Sequence, residues 1–275
     1  MSNDKYIEII KNQAATPTEI TPVEKVINNR VESSSLFKVR QFDRNFIYKI
    51  SDRYTSFRNL MLSQYLLSHG VPVPDSKIFV GGGVNFEKYE IIPGITLSEF
   101  LKDNKWGNSQ NFVKSQLKRV LSETLAYDKK ISEIDIPSET IKKQLVLCDR
   151  RKIHHTKDFG KLIASIDYII NKRLTTYGNV TLHYADLNPS NILLDNCGKT
   201  KALLDLDSLA LCDEYIVLAT VLMYWPNLSV DEVVEVYKSV FNRDINKRHL
   251  KNVLRVKKLR NQTATFMRKM RQKSR

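Results

Sequence analysis

Residues Tyr184-Ala185-Asp186-Leu187-Asn188-Pro189-Ser190-Asn191 set a carboxylate and a carboxamide five positions apart on a polar turn, with the apolar run Ile192-Leu193-Leu194 directly behind. A second apolar run, Ala202-Leu203-Leu204, delivers Asp205-Leu206-Asp207. These residue types suit chemistry on a hydroxyl group. Asp186 is placed to take a proton from an attacking hydroxyl. Asn191 and Asp205 offer hard oxygen ligands to the magnesium ions that accompany a nucleoside triphosphate. Asp207 either joins the metal ligands or satisfies backbone amides.

The elements that must carry these groups divide into strands first and helices afterwards. The opening residues, through about Pro17, are polar apart from Tyr6, Ile7, Ile9 and Ile10, and read as a short peripheral helix. Residues 23–26, 36–41 and 45–50 read as consecutive antiparallel strands. Residues 56–69 follow as a helix that Gly70, Pro72 and Pro74 bring to a stop. Two more strands, at residues 77–80 and 86–92, flank Gly81-Gly82-Gly83. That triplet reads as a hairpin turn, since neither a Lys-Ser/Thr pair nor a helix start follows it. Beyond Pro93-Gly94 the periodicity is helical, at residues 97–101, 112–131, 163–174, 215–224 and 230–240. This order predicts an α+β protein of two lobes, a small antiparallel-sheet N-lobe and a larger, mainly helical C-lobe. The boundaries expected are 1–92 (with 1–17 peripheral), 93–241, and a basic tail at 242–275.

Composition is that of an ordinary globular protein, with 42% hydrophobic and 27% charged residues in 275. Cys148, Cys197 and Cys212 are odd in number and lack metal-ligand spacing. The chain carries no signal-peptide pattern and no apolar run long enough to span a bilayer, so a cytoplasmic location is expected. The formal net charge of +14 is concentrated in the tail, where thirteen Lys/Arg meet a single acid, Asp244. Such a tail suits a polyanion, an anionic membrane surface or an acidic substrate, or else forms a solvated helix. Its last residues, 268–275, read as frayed.

The turn at Tyr184–Asn191 resembles the catalytic loop of the protein-kinase-like superfamily, H-R-D-x-x-x-x-N, with Tyr184 in place of the histidine. It is more similar still to the aminoglycoside phosphotransferase and choline-kinase-like branch, whose loop reads H-x-D-x-x-P-x-N-I-L. There the metal motif is I-D-[FW]-[DE], matched here by Leu204-Asp205-Leu206-Asp207. The resemblance implies a two-lobed protein-kinase-like fold with ATP and Mg²⁺ as cofactors. It implies Asp186 as the catalytic base, and Asn191, Asp205 and Asp207 as the metal set. Lys49 stands where the family's strand lysine holds the α- and β-phosphates. Glu90-Ile91-Ile92-Pro93-Gly94 is similar to the family's hinge, where the Glu90 carbonyl and the Ile92 amide would face adenine. Ser34 and Ser35 fall in the position of the triphosphate-covering loop, without its usual glycines. Tyr184 would pack under the catalytic loop and His183 would be a core or strand-end residue. The pair His154-His155 has no partners at ligand spacing.

One departure bears on activity. The family pairs its strand lysine with a glutamate on the following helix, but residues 53–74 contain no acid. The expected position falls near Asn59 or Met61, and Asn59 or Gln64 would be the substitute hydrogen-bonding partner. The resemblance therefore implies a phosphotransferase that moves the γ-phosphoryl group to a hydroxyl of a small molecule or sugar, with an anionic acceptor favoured by the basic tail. The alternative is a catalytically weak nucleotide-binding module whose tail holds a polyanion. A protein kinase is disfavoured by Asp207 in place of the D-F-G glycine.

Overall fold

A computed structural model describes residues 3–13, 17–23, 25–27, 30–32, 36–103, 109–136 and 180–273. Its contacts separate two units: Met1–Gly94 with Ala202–Asp207, and Ile95–Lys201 with Ser208–Arg275. The expected α+β class, with an antiparallel sheet ahead of a helical region, is what the chain forms.

The first unit contains α1 (Asn3–Gln13), β1 (Pro17–Pro22), β2 (Lys25–Ile27), β3 (Arg30–Glu32), β4 (Leu36–Gln41), β5 (Arg44–Ser51), α2 (Arg53–Ser68), β6 (Ser76–Gly81) and β7 (Val84–Glu90). An antiparallel sheet runs in the order β1-β4-β5-β7-β6. Alternation along its strands sends Phe37, Val39, Tyr48 and Phe86 to one face, where they close over Ile10 of α1. Phe79 stacks on Phe86 at 4.7 Å between ring centroids. The helix expected at the periphery thus covers a face of the sheet.

The first strand is not where the apolar residues at 23–26 placed it. Pro17–Pro22 pairs with β4, whereas Lys25–Ile27 forms a separate hairpin with Arg30–Glu32. Prolines at both ends of β1 lack the N–H that a central strand would need, and the sheet edge tolerates them. The helix after β5 starts three residues earlier than its apolar spacing suggests, because the Asp52 carboxylate accepts from the amides of Tyr54 and Thr55, both at 3.0 Å. It ends as Gly70 and Pro72 imply. Gly70 adopts φ 67°, its amide donates to Leu67 O at 3.0 Å, and the Val71 amide donates to Leu66 O at 3.0 Å. Leu66 and Val71, both fully buried, seal this C-terminal motif.

The glycine triplet is a hairpin turn. Gly81 pairs with Val84, and Gly82 and Gly83 between them take φ 55° and 76°. A Cβ at Gly82 would come within 2.9 Å of Ile9 Cδ1, whereas one at Gly83 would meet open space. Both Gly→Ala changes incur the left-handed penalty of roughly 1–2 kcal/mol. Urea unfolding should therefore show Gly82→Ala as the more destabilised of the two, and equal midpoints would mean α1 does not bear on the turn.

The second unit holds β8 (Ile95–Thr96), α3 (Leu97–Lys102), α4 (Gln110–Ser132), β9 (Thr181–Tyr184), a 3-10 turn at Pro189–Asn191, β10 (Ile192–Leu194), β11 (Thr200–Leu203), β12 (Leu209–Cys212), α5 (Glu214–Tyr224), α6 (Val230–Phe241) and α7 (Lys247–Lys273). The last two residues of β11 belong to the first unit. β10 pairs with β8, and β12 with β9, both antiparallel. Thr96 with Glu99, and Ser229 with Glu232, form reciprocal capping boxes that start α3 and α6. Leu117, Val120, Leu121 and Leu125 are fully buried, as their spacing on α4 predicts. The tail is more ordered at its end than expected, since α7 continues as helix to Lys273. The helix expected at 163–174, the pair His154-His155 and Cys148 lie outside the described residues. No described helix is long and apolar enough to cross a membrane.

Candidate active site

Lys49 lies near the end of β5, with Leu36 of β4 on one side in register and Glu87 of β7 on the other. Its Nζ meets Asp205 Oδ1 at 3.1 Å and Asp207 Oδ2 at 2.7 Å. Those carboxylates are 156 and 158 positions away in sequence, on the segment Ala202–Asp207 that rejoins the first unit. That segment is tied in by the Leu203 amide, which donates to Pro72 O at 2.8 Å. Asp205 takes a left-handed φ of 63°, a region that Asp enters more readily than most residues, and a 3-10 turn begins at Leu206. Burial alone would depress the Lys49 ammonium, but the Asp205 and Asp207 carboxylates outweigh it and hold its pKa above the usual lysine range. Burial pushes Asp207 up. Lys49, Asn59 and Arg58 reverse that and keep it below the ordinary carboxylate value.

The helix behind this cluster holds Asp207 from its other oxygen. Arg58 Nη2 reaches Asp207 Oδ1 at 3.0 Å and Asn59 Nδ2 reaches it at 2.8 Å. Asn59, fully buried, also donates to Glu87 Oε2 at 3.0 Å and accepts from Arg58 through its Oδ1. Asn59 therefore does not bond Lys49, as its alignment with the helix acid suggested, but bridges Asp207 to Glu87. Gln64 and Met61 are exposed. Glu87 is the residue that sequence reasoning missed. It is fully buried, and only the strand register reveals that it stands opposite Lys49.

Of the expected base-facing pair, Glu90 closes β7 and its side chain meets Arg44 at 3.6 Å on the surface. The Ile91 amide between them donates to Asn45 O at 2.9 Å, which commits it to β5. Glu90 is the last residue of β7, and Ile92 lies beyond the strand. Ser34 and Ser35 lie outside the described residues.

In the second unit the turn carrying Asp186 is anchored carbonyl by carbonyl. Thr220 Oγ1 of α5 donates to Ala185 O at 2.9 Å, and Trp225 Nε1, just past the end of α5, donates to Leu187 O at 2.8 Å. Between them Asp186 O accepts from the Asn188 amide at 2.7 Å and from Asn191 Nδ2 at 3.2 Å. The Ala185 amide donates to Ser208 O at 2.9 Å. Asn188 also caps the 3-10 turn, its Oδ1 accepting from the Ser190 amide. A backbone held on both sides of Asp186 fixes where its carboxylate can point. Asp186 and Asn191 share this turn, as their spacing predicts.

Tyr184 is fully buried directly before the turn, consistent with the supporting place expected of it. His183 is a core residue with a specific partner: its Nδ1 meets Asp128 Oδ2 of α4 at 2.8 Å, and its Nε2 meets Thr181 Oγ1 at 2.9 Å. Asp128 Oδ1 accepts the Tyr184 amide at 2.7 Å. Burial works against a charged imidazole here. The Asp128 carboxylate prevails and raises the His183 pKa above its ordinary value. Asp128 thereby links the long helix α4 to the strand that leads into the turn.

Helix α7 runs beside α5 and adds a cation. Lys257 Nζ hydrogen-bonds the Thr220 hydroxyl and lies 3.4 Å from Ile216 O. Thr220 is the residue that holds Ala185 O. Burial lowers the Lys257 pKa, while the nearby Asp186 carboxylate opposes that shift. Farther along, Asn261 Nδ2 donates to Tyr224 OH at 2.7 Å.

No protein-family model matches this chain, and neither does any curated protein. Solved structures do. An aminoglycoside-3'-phosphotransferase of type VIII aligns over 92% of this chain and 97% of its own, with a TM-score of 0.58 and 16% identity. The choline kinase of Streptococcus pneumoniae aligns over 94% and 86%, with a TM-score of 0.58 and 13% identity. A spectinomycin phosphotransferase, solved with ADP and spectinomycin, aligns over 96% and 86% at TM-score 0.57 and 14% identity. The chain has the aminoglycoside-phosphotransferase and choline-kinase fold. Within this phosphotransferase fold the resemblance read from Asp186, Asn191 and Asp205 extends from two short motifs to nearly the whole length of the chain.

Proposed function

We propose that the protein is a phosphotransferase that moves the γ-phosphoryl group of Mg·ATP to a hydroxyl of a small molecule. The observation that carries this reading is the Lys49–Asp205–Asp207 cluster, in which a strand lysine meets two carboxylates from a distant motif. In the proposed roles, Lys49 holds the nucleotide phosphates and Asp205, Asp207 and Asn191 hold magnesium. The donors fit that ion: they are hard oxygens, and magnesium characteristically takes one or two carboxylates together with substrate phosphates. The metal would neutralise charge on the transferred group. Asp186 orients the acceptor hydroxyl and takes its proton. Glu90 and Ile92 present backbone groups to the base, and Ser34 and Ser35 belong to the loop over the phosphates. Solved structures of the same fold contain ADP or AMP, which supports nucleotide binding here.

The acceptor in this reading is anionic. Lys257 supports that assignment, because its ammonium has only neutral hydrogen-bond partners among the described residues and sits in the field of Asp186. Arg260, three positions on along α7, is half-buried on the same side. An acceptor with a phosphate or carboxylate would complete the ion pair that Lys257 lacks among the described residues.

The test is Mg·ATP turnover with matched hydroxyl acceptors, ribose against ribose 5-phosphate and glycerol against glycerol 3-phosphate. The phosphorylated member of a pair should be the better acceptor, and Lys257→Gln should raise its KM by about tenfold or more, the cost of losing a charge-assisted contact. Preference for the neutral members would reject the anionic assignment. ATP bound tightly but turned over with no acceptor would favour a nucleotide-sensing module, whose basic tail then holds a polyanion.

A further inference from the structure

The chain lacks a helix acid for Lys49, yet a fully buried carboxylate stands directly across from it. Glu87 and Lys49 are register partners on adjacent antiparallel strands, so their side chains rise from the same face with Cβ atoms roughly 5 Å apart. The two Glu87 oxygens are treated differently. Oε2 accepts from Asn59 Nδ2 and from the Tyr89 hydroxyl. Oε1 is buried and has no hydrogen bond of ordinary length among the described residues; the nearest hydroxyl, Ser51, helps hold the carboxylate charged but is paired with Ser56. A carboxylate oxygen kept from water without a donor is costly, and such groups persist where a partner arrives in another state.

The ammonium opposite is the partner that the geometry offers. In the form described, Lys49 is held by Asp205 and Asp207. Both are assigned to the metal in the proposed function, and a carboxylate turned toward a divalent cation is no longer available to a lysine. Lys49 would then need an anion on the protein side to fix it against the nucleotide. Among residues 53–74 there is none. Arg58 on the helix is a cation, and Asn59 can supply only an amide.

We infer that Glu87 is the positioning residue of Lys49, and that the counter-charge this fold expects on α2 has been moved to the neighbouring strand β7. When nucleotide and metal engage Asp205 and Asp207, Lys49 transfers from those carboxylates to Glu87 Oε1 and to phosphate. Asn59 makes the exchange orderly, since its two amide hydrogens hold Glu87 and Asp207 together throughout. Arg58 remains on Asp207 and limits the negative charge that Lys49 leaves behind. The inference rests on the phosphotransferase reading above and goes beyond it by assigning a residue outside every motif.

Glu87→Gln keeps the size and the Asn59 contact while removing the charge. It should lower kcat for Mg·ATP turnover by about 10- to 100-fold, the range for a partner that orients a site residue, with the KM for ATP changed by less than about threefold. The deciding comparison is Glu87→Asp, which keeps the charge on the strand and leaves Asn59 in place. It should retain clearly more of the wild-type kcat than Glu87→Gln, a result that a purely structural Glu87 would not give. A Glu87→Gln variant with wild-type kcat, or a Glu87→Asp variant no better than it at equal thermal stability, overturns the inference. If Glu87→Gln does not fold, a structure of the wild-type protein with Mg·ADP decides. Lys49 Nζ within about 3.2 Å of Glu87 Oε1 supports the proposal, and Lys49 still on Asp205 and Asp207 rejects it. Wild-type protein that neither binds nor turns over Mg·ATP refutes the phosphotransferase reading instead.

Discussion

Replacing Asp186 with Asn should lower phosphoryl transfer by about 10²–10⁴-fold, the usual worth of a positioned general base, or roughly 3–5 kcal/mol of barrier. Nucleotide affinity should stay within about threefold, because the substitution preserves shape and a base acts on the acceptor rather than on ATP. The structure makes this a clean experiment. The carbonyls of Ala185, Asp186 and Leu187 all accept hydrogen bonds from side chains, those of Thr220, Asn191 and Trp225 respectively. The altered side chain therefore should not carry the loop with it. Steady-state turnover beside calorimetric titration with Mg·ADP separates the two quantities. A loss smaller than tenfold would mean that another group receives the proton.

The second large effect concerns the metal. Asp205→Asn should weaken the magnesium-dependent part of nucleotide binding by at least the 10- to 100-fold that outer-sphere partners of a metal site contribute. Binding in EDTA should be unchanged or slightly tighter, since a carboxylate near phosphate repels it in the absence of a cation. Lys49 supplies the internal control. Asp207 alone would remain on its ammonium at 2.7 Å, and the Arg58–Asp207 pair at 3.0 Å would be untouched. Titrating ADP with and without magnesium reads both arms. Full magnesium dependence retained after Asp205→Asn would remove Asp205 from the metal set.

Motif spacing made the chemistry-bearing turn legible, because Asp186 and Asn191 depend on local geometry that a few consecutive residues specify. Lys49 with Asp205 and Asp207 was legible only through resemblance, since nothing in the sequence predicts an approach between residues 156 positions apart. Glu87 was hidden for a different reason. Its meaning comes from strand register, and one residue of slip would have put it on the sheet's other face beside Phe37 and Val39. Asp52, three positions after Lys49, caps α2. The opening strand was misplaced because apolar residues at 23–26 outweighed the edge tolerance of two prolines. His183 was read correctly as core, but its partner Asp128 lies 55 positions away on α4 and could not be seen.

The six residues Ala202–Asp207 belong to the unit built from the beginning of the chain. This makes that unit a discontinuous one. A fragment ending at Gly94 would keep Lys49, Arg58 and Asn59 but lose both aspartates that meet them, and it would forfeit the backbone tie from Leu203 to Pro72. A ribosome that has finished the sheet has therefore not yet synthesised its acidic half. Gene fusions or swaps between relatives would have to carry the late hexapeptide along with the early ninety-four residues, and a crossover placed at the apparent boundary would pair one parent's lysine with another parent's carboxylates.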